Sequence, residues 1–374
     1  MRRKKNRMVV FVTVGVLAAL ILVWSSSCAL AKQDWEAIEA AARKEGKVVI
    51  YSVSSRIFKL VDEFKEKYGV EIVGFDIAPD KQAEKFRREY QAGVHQVDVL
   101  FTNGTPELLG EFLPKKMVWN FVPDTVAPYL DDNEKEPLLV QRWSSRVLMY
   151  NTALNPEGPP IDNLWDLTRE EWTAKVLTPG PLVGVMTNVF QTILEHPDEM
   201  AAAYEKEFGK SITLSPGIEN AAQEWLLRFV QNKPVFIDST SKILKGVADV
   251  EQEDPPIGWT TFSKLRAYEP GVYEAAPLYD LEPVLGVAYP TVFVIASKAP
   301  HPNAAKLLVR YMMEAGFWPW NEIGDYAGRS DVETLQVHWF NIPLFRKVKL
   351  WMIDAEHVYN TRYEFVEFYM SIGP

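Results

Sequence analysis

Gly46-Lys47-Val48-Val49-Ile50-Tyr51-Ser52, Phe64-Lys65-Glu66-Lys67-Tyr68-Gly69-Val70 and Val97-Asp98-Val99-Leu100-Phe101 are the three pieces that decide the fold. The first and third contain a short β-branched run, which reads as a buried strand, and the second is a helix-to-strand step into another. Between the first two runs, Ile57, Leu60, Val61, Phe64 and Tyr68 recur at helical spacing and stop at Gly69. Residues 70–75 form the second strand, and Ala83, Phe86 and Tyr90 mark the next helix. Upstream, Asp34 can cap a helix with Trp35, Ile38, Ala41 and Ala42 on one face, ended by Gly46. Downstream, Thr105-Pro106-Glu107 offers a capping hydroxyl, a first-turn proline and an acid, a good helix start. The alternation predicts an α/β fold with a largely parallel sheet.

The pattern changes further on. Residues 146–150 read as a strand leaving this unit, and Pro156, Pro159 and Pro160 as a connection. Leu164-Trp165-Asp166-Leu167 and Trp172 make an aromatic-rich element. One helix carries Ala222, Trp225, Leu226, Phe229 and Val230; another starts after Ser239-Thr240-Ser241 and buries Ile243, Leu244 and Val247. A strand at 291–296 precedes a helix with Ala304, Ala305, Leu307, Leu308, Tyr311 and Met312.

With 374 residues, 47% hydrophobic and 24% charged, the chain is long enough for two domains, and disorder is excluded. Five basic residues (Arg2, Arg3, Lys4, Lys5, Arg7) precede an apolar run at 8–24 and the small residues Ser25-Ser26-Ser27-Cys28-Ala29-Leu30-Ala31. That order is a secretory signal. Ala29-Leu30-Ala31 suits ordinary cleavage before Lys32, whereas Ser27-Cys28 resembles a lipoprotein box that would lipidate Cys28. A third reading keeps the apolar run as an uncleaved anchor. All three put the folded part outside the cytoplasmic membrane, in the periplasm or its equivalent. Without those five residues, 35 basic against 50 acidic side chains leave a charge of −15, which reads against nucleic acid as a partner.

Enzyme chemistry finds no support in the sequence. The lone Cys28 excludes a disulfide, a cysteine metal cluster and a thiol nucleophile from the mature chain, and His95, His196, His301, His338 and His357 share no ligand spacing. No nucleophile elbow, phosphate-binding glycine loop or dinucleotide fingerprint occurs. Asp131-Asp132 and Glu170-Glu171 read as solvated faces.

The opening pieces, together with Val147-Leu148-Met149-Tyr150-Asn151, the Leu164 to Leu167 element, the strand at 292–296 with Lys298, Pro300, Pro302 and Asn303, and Arg329-Ser330-Asp331-Val332, resemble the type 2 extracellular solute-binding proteins of ABC importers. The ferric-iron and sugar-phosphate branch is the most similar. The resemblance implies two α/β lobes joined by two crossing hinge strands near 146–151 and 285–292, closing on a ligand. It assigns 1–31 to the signal, 32–146 to the first part of lobe 1, 147–285 to lobe 2, and 286–374 to a return to lobe 1 with a C-terminal helical segment. It also implies a monomer without cofactor, partnered by a small ligand and an ABC permease.

In such a sheet, ligands bind beyond the carboxyl ends of strands, at helix starts rich in free N–H groups. The candidates are Ser54, Ser55 and Arg56 after the first strand, Thr102 and Asn103 after the third, Thr187 and Asn188, Ser239, Thr240 and Ser241, and Trp259, Thr260 and Thr261, with Arg146 on the first crossing strand. Each has a plain structural reading: helix caps for the hydroxyls, core for Trp259, a hinge brace for Arg146. Ferric-binding relatives hold iron with two adjacent tyrosines after the strand that here reads Ile257-Gly258-Trp259. This chain has Thr260-Thr261-Phe262-Ser263 there, and Tyr268 further on. The expectation is therefore a small polar or anionic solute, an organophosphate, sugar phosphate or carboxylate, with ferric iron as the alternative. A second alternative is a cell-envelope scaffold or adhesion protein using Trp318, Trp320, Trp339, Phe340 and Trp351 as a surface.

Overall fold

The Asp34 carboxylate accepts the Ala37 N–H at 3.0 Å and so opens α1 (Trp35–Glu45). The helix ends at Gly46, whose φ of +75° suits a residue without a Cβ. β1 (Lys47–Ser52) follows, then a 3-10 turn at Ser55–Leu60, α2 (Val61–Tyr68), β2 (Glu71–Asp76), α3 (Pro79–Gln91) and β3 (Val99–Thr102). β1 pairs in parallel with β2 and β3, as the β-α-β pattern requires. Ile57, Leu60 and Phe64, picked out by helical spacing, are fully buried against Val48 and Ile50. This computed structural model describes residues 32–337 and 342–373, and from Gln33 on they form one compact unit. The secretory segment with Cys28, and also Trp339 and Phe340, lie outside the described residues.

The helix start at Thr105-Pro106-Glu107 gives only one turn, α4 (Thr105–Glu107), which widens into a π-helical stretch at Leu108–Phe112. Gly104, not Thr105, stands at the cap; its N–H is already held by the Thr102 hydroxyl at 3.0 Å. β4 (Val118–Trp119), α5 (Asp132–Lys135) and the long β5 (Leu139–Asn151) come next. β5 begins well before residue 146, because Gln141, Arg142, Ser144 and Ser145 are buried although polar. Hydropathy hides a strand whose polar side chains face other polar groups.

The second lobe contains β6 (Val176–Thr178), α6 (Val185–Leu194), α7 (Pro197–Phe208), α8 (Ala221–Gln231), β7 (Val235–Phe236), α9 (Thr240–Ala248), β8 (Ile257–Thr261) and β9 (Ala275–Pro277). β10 (Gly286–Ala296) returns to the first lobe, followed by α10 (Pro302–Met313), β11 (Tyr326–Ala327), β12 (Leu350–Met352) and α11 (Ala355–Ile372). The strand order is β2-β1-β3-β10-β5-β8-β6-β7, with β10 antiparallel to both β3 and β5. Thus β5 and β10 run side by side from one lobe into the other. The expected boundaries at 146/147 and 285/286 fall inside β5 and immediately before β10.

The C-terminal segment touches both lobes. β12 pairs with residues 286–288 of β10, at the crossing itself. On the first-lobe side of α11, Tyr359 lies against Gly110, where a Cβ would come within 2.1 Å of its ring, and Arg362 pairs with Glu107 at 2.5 Å. On the second-lobe side, the Gln191 amide of α6 donates to the Val358 carbonyl at 3.0 Å and to the Thr361 hydroxyl at 3.1 Å. Among the described residues no helix is long and apolar enough to cross a membrane.

Glu195, at the end of α6, is part of this contact. Burial, reinforced by the Asp354 carboxylate, pushes its carboxyl up to about 7, with the His357 imidazole 3.5 Å away. A raised carboxyl binds its proton more tightly in the folded than in the unfolded chain. The stabilisation is therefore complete below the ordinary carboxylate range and is lost as pH rises through about 7. Urea unfolding at pH 5 and pH 8 should differ by roughly 2 kcal/mol from this group, and Glu195→Gln should remove that difference.

Candidate functional site

Between the lobes lies a cavity of about 390 Å³, lined from the first lobe by Val53, Ser54, Ser55, Arg56, Asp76 and Asn103, and from the second by Thr240, Thr261, Ser263, Lys264 and Arg266. The crossing strands contribute Arg142, Ser144, Tyr289 and Thr291, and Asp325 completes the wall. Register explains the strand residues. Arg142 faces Thr291 and Ser144 faces Tyr289 across the β5–β10 ladder, so alternate positions of both strands present one polar face.

The first loop is arranged by its own hydroxyls: the Ser52 hydroxyl donates to the Ser54 carbonyl at 2.8 Å, and the Ser54 hydroxyl accepts the Arg56 N–H at 3.3 Å. This turns the chain sharply after β1 and sends Arg56 into the cavity. At the opposite wall, the Ser239 hydroxyl caps α9 and leaves Thr240 at its first turn on the cavity surface. The Lys264 ammonium donates to the Ser241 hydroxyl at 2.8 Å, and Arg146 donates to the Thr261 hydroxyl at 2.5 Å.

Six of the sequence candidates line the cavity: Ser54, Ser55, Arg56, Asn103, Thr240 and Thr261. Arg146 and Ser241 stand behind it, holding Thr261 and Lys264. Thr102 is buried and caps Gly104, and Thr260 is buried with its hydroxyl on the Thr240 carbonyl at 3.0 Å. Ser239 serves as the α9 cap. Trp259 is core, edge-on to Phe190 at 5.3 Å and packed near Trp225 and Phe229. Thr187 and Asn188 lie inside α6 rather than before it, away from the cavity, and Asn188 is buried.

Sequence reading missed Arg142, Lys264 and Arg266. The signal for Arg142 was the two-residue spacing Arg142, Ser144, Arg146, visible only once the strand is extended upstream.

Four cations, Arg56, Arg142, Lys264 and Arg266, face two carboxylates, Asp76 and Asp325, around this cavity. Burial, with Arg266, Arg146 and Arg56 nearby, pushes the Lys264 ammonium below its ordinary range, the direction expected where positive charge is crowded. Arg142 is 8% exposed and pairs with Asp325 at 3.7 Å, while the Ser144 hydroxyl donates to Asp325 at 2.7 Å. Several polar atoms at or beside the cavity, Arg146 Nε, Asn103 Oδ1 and Thr291 Oγ1, have no hydrogen-bond partner among the described residues, and Arg142 Nε has only its ion pair with Asp325. Buried groups of this kind are costly unless a ligand or water meets them. The one carboxylate cluster among the described residues with metal-ligand proximity, Asp162, Asp166 and Glu207, lies elsewhere, and Glu207 there pairs with Arg169.

No family model matches the chain, and no curated protein does. Solved structures do. Iron-bound HitA from Pseudomonas aeruginosa superposes with a TM-score of 0.65 at 16% identity, covering 88% of this chain and 99% of that one. The fold is that of the type 2 periplasmic binding proteins. The apo ferric ion-binding protein A of Pasteurella haemolytica gives a TM-score of 0.64 at 14% identity, over 87% and 98% of the two chains. Trichodesmium IdiA (FutA) in complex with iron and citrate gives 0.57 at 17%, over 88% and 99%. In this binding fold, the cavity described above lies between the lobes and beside both crossing strands.

Proposed function

We propose that this chain is the extracytoplasmic solute-binding component of an ABC importer and captures an anionic ligand between its lobes. The observation that carries the reading is the cationic cavity: four basic side chains from both lobes and the crossing strand surround it in a chain that is otherwise acidic. Charged donors converging from several elements suit carboxylate or phosphate oxygens. The secretory signal read in the sequence supports the location, and the shared fold supports the role.

That these structural neighbours are iron-binding proteins favours iron over the organophosphate or sugar phosphate expected from the sequence. Their ferric cargo and this cavity are compatible if iron arrives already chelated. Among the described lining residues Tyr289 is the one phenol, and Asp325 is already engaged by Ser144 and Arg142, so a bare ferric ion would meet few free anionic oxygens. The arginines and Lys264 would instead bind the carboxylates of a ferric chelate such as ferric citrate, while the unpartnered donors meet its remaining oxygens. Calorimetric titration with ferric citrate, citrate, ferric ion alone and a sugar phosphate separates these readings. Ferric citrate should bind most tightly, and Lys264→Ala should weaken it by about tenfold or more. Tight binding of chelator-free iron with a visible tyrosinate charge-transfer band would refute the chelate reading.

Use as an envelope scaffold has less support. Trp320 is fully buried in the core and Trp351 stacks on His196 at 4.0 Å, which leaves Trp318, 51% exposed, as a single surface ring of these three.

A further inference from the structure

Residues 321–326 cross from one lobe to the other at the cavity. On the first-lobe side, Trp320 is anchored in the core against Phe101, with ring centroids 5.3 Å apart. At the far end, Tyr326 pairs with Trp143 of β5 and packs against Phe262 of the second lobe. Gly324, with φ of +74°, lies so close to Phe262 that a Cβ would come 2.8 Å from its backbone carbonyl group. The segment is thus held at both ends and pressed against the seam in the middle.

Glu322 sits on that segment. One of its carboxylate oxygens, Oε2, accepts from Arg56 Nη2 at 2.5 Å and forms an ion pair with Arg266 Nη1 at 2.8 Å, while Arg266 Nη1 donates to the Ser263 carbonyl. Arg56 belongs to the loop after β1 and Arg266 to the turn after β8, and both line the cavity. One carboxylate oxygen bridging guanidinium groups from opposite lobes makes the contact that an anionic ligand would make on binding. We infer that Glu322 is a tethered carboxylate that stands in for the ligand's anionic group, latching the lobes together in the ligand-free protein and yielding both arginines to the ligand when it binds.

This inference rests on the anion-binding reading for its ligand but not for its latch, so the two can be tested apart. The latch is read by small-angle X-ray scattering without ligand. Glu322→Gln keeps the shape and removes the charge, and should give a larger radius of gyration than the wild type, whereas Glu322→Asp should stay nearer to it. An unchanged radius in Glu322→Gln, with a folded circular dichroism spectrum, overturns the latch. Competition is read by calorimetry with citrate, with inorganic phosphate and with ferric citrate. Glu322→Gln should bind whichever of these the wild type binds about tenfold more tightly, because the internal competitor is gone. Unchanged or weaker binding overturns the stand-in role. If neither protein binds citrate, inorganic phosphate or ferric citrate, the proposed ligand class fails, while the scattering result still decides the latch.

Discussion

Arg142→Met is expected to lower the stability of the folded chain by about 3–5 kcal/mol, the loss typical when one partner of a buried ion pair is removed. Arg142 and Asp325 are both more than nine-tenths buried, and the remaining polar contact to Asp325 is the Ser144 hydroxyl at 2.7 Å. Without the guanidinium the Asp325 carboxylate keeps its burial and loses its counter-charge. Burial already pushes Asp325 up and Arg142 down from their ordinary ranges, the directions expected when both charges are poorly solvated. Two results follow. Arg142→Met/Asp325→Leu should recover most of the loss, since no buried charge is then left alone. The single variant should also regain stability as pH falls, because protonation of Asp325 is favoured in the folded state and that gain is lost as pH rises through its raised folded value. Urea midpoints across the pH range measure both; a deficit below about 0.5 kcal/mol would mean that water reaches the carboxylate.

The second large effect is expected at Gly286. This residue pairs with Val147 where the crossing strands meet, and a Cβ there would lie 1.9 Å from the Arg146 carbonyl oxygen. The obstacle is backbone, which cannot rotate away as a side chain can. Gly286→Ala must push β10 from β5 at their point of contact and disturb β12, which pairs with the same residue. A loss above about 4 kcal/mol, or no folded protein at all, is expected from thermal unfolding followed by circular dichroism. Retention of the wild-type midpoint would show that the crossing strands can separate locally.

These residues also show how far the sequence can be read. The first lobe was legible because its apolar residues carry the period of their elements: Val48 and Ile50 for β1, Ile57, Leu60 and Phe64 for the helix that follows. The cavity was legible where a polar residue ended a strand or began a helix, as at Ser54, Arg56, Asn103 and Thr240. It was illegible along β5. There, the buried side chains are polar, and a strand with Gln141, Arg142, Ser144 and Ser145 in its first half gives no apolar signal. α6 was misplaced for the opposite reason. Thr187 and Asn188 look like a helix start, but Val185 and Met186 before them are already buried in the helix. Glu322 gave no signal because its two arginines are separated from it by 266 and 56 residues, a relation that only the folded chain creates.

The position of β10 between β3 and β5 governs the order in which the chain can be assembled. β3 ends at Thr102 and β5 at Asn151, yet the strand that joins them begins at Gly286. During synthesis the early portion therefore has two open strand edges for as long as the whole second lobe takes to emerge. Pairing over such separations is slow, and an exposed edge invites association with other chains. If the chain is exported before it folds, as the secretory signal expected from its sequence implies, that delay would hold it in a threadable form, and the last strands to appear would close the sheet on the far side.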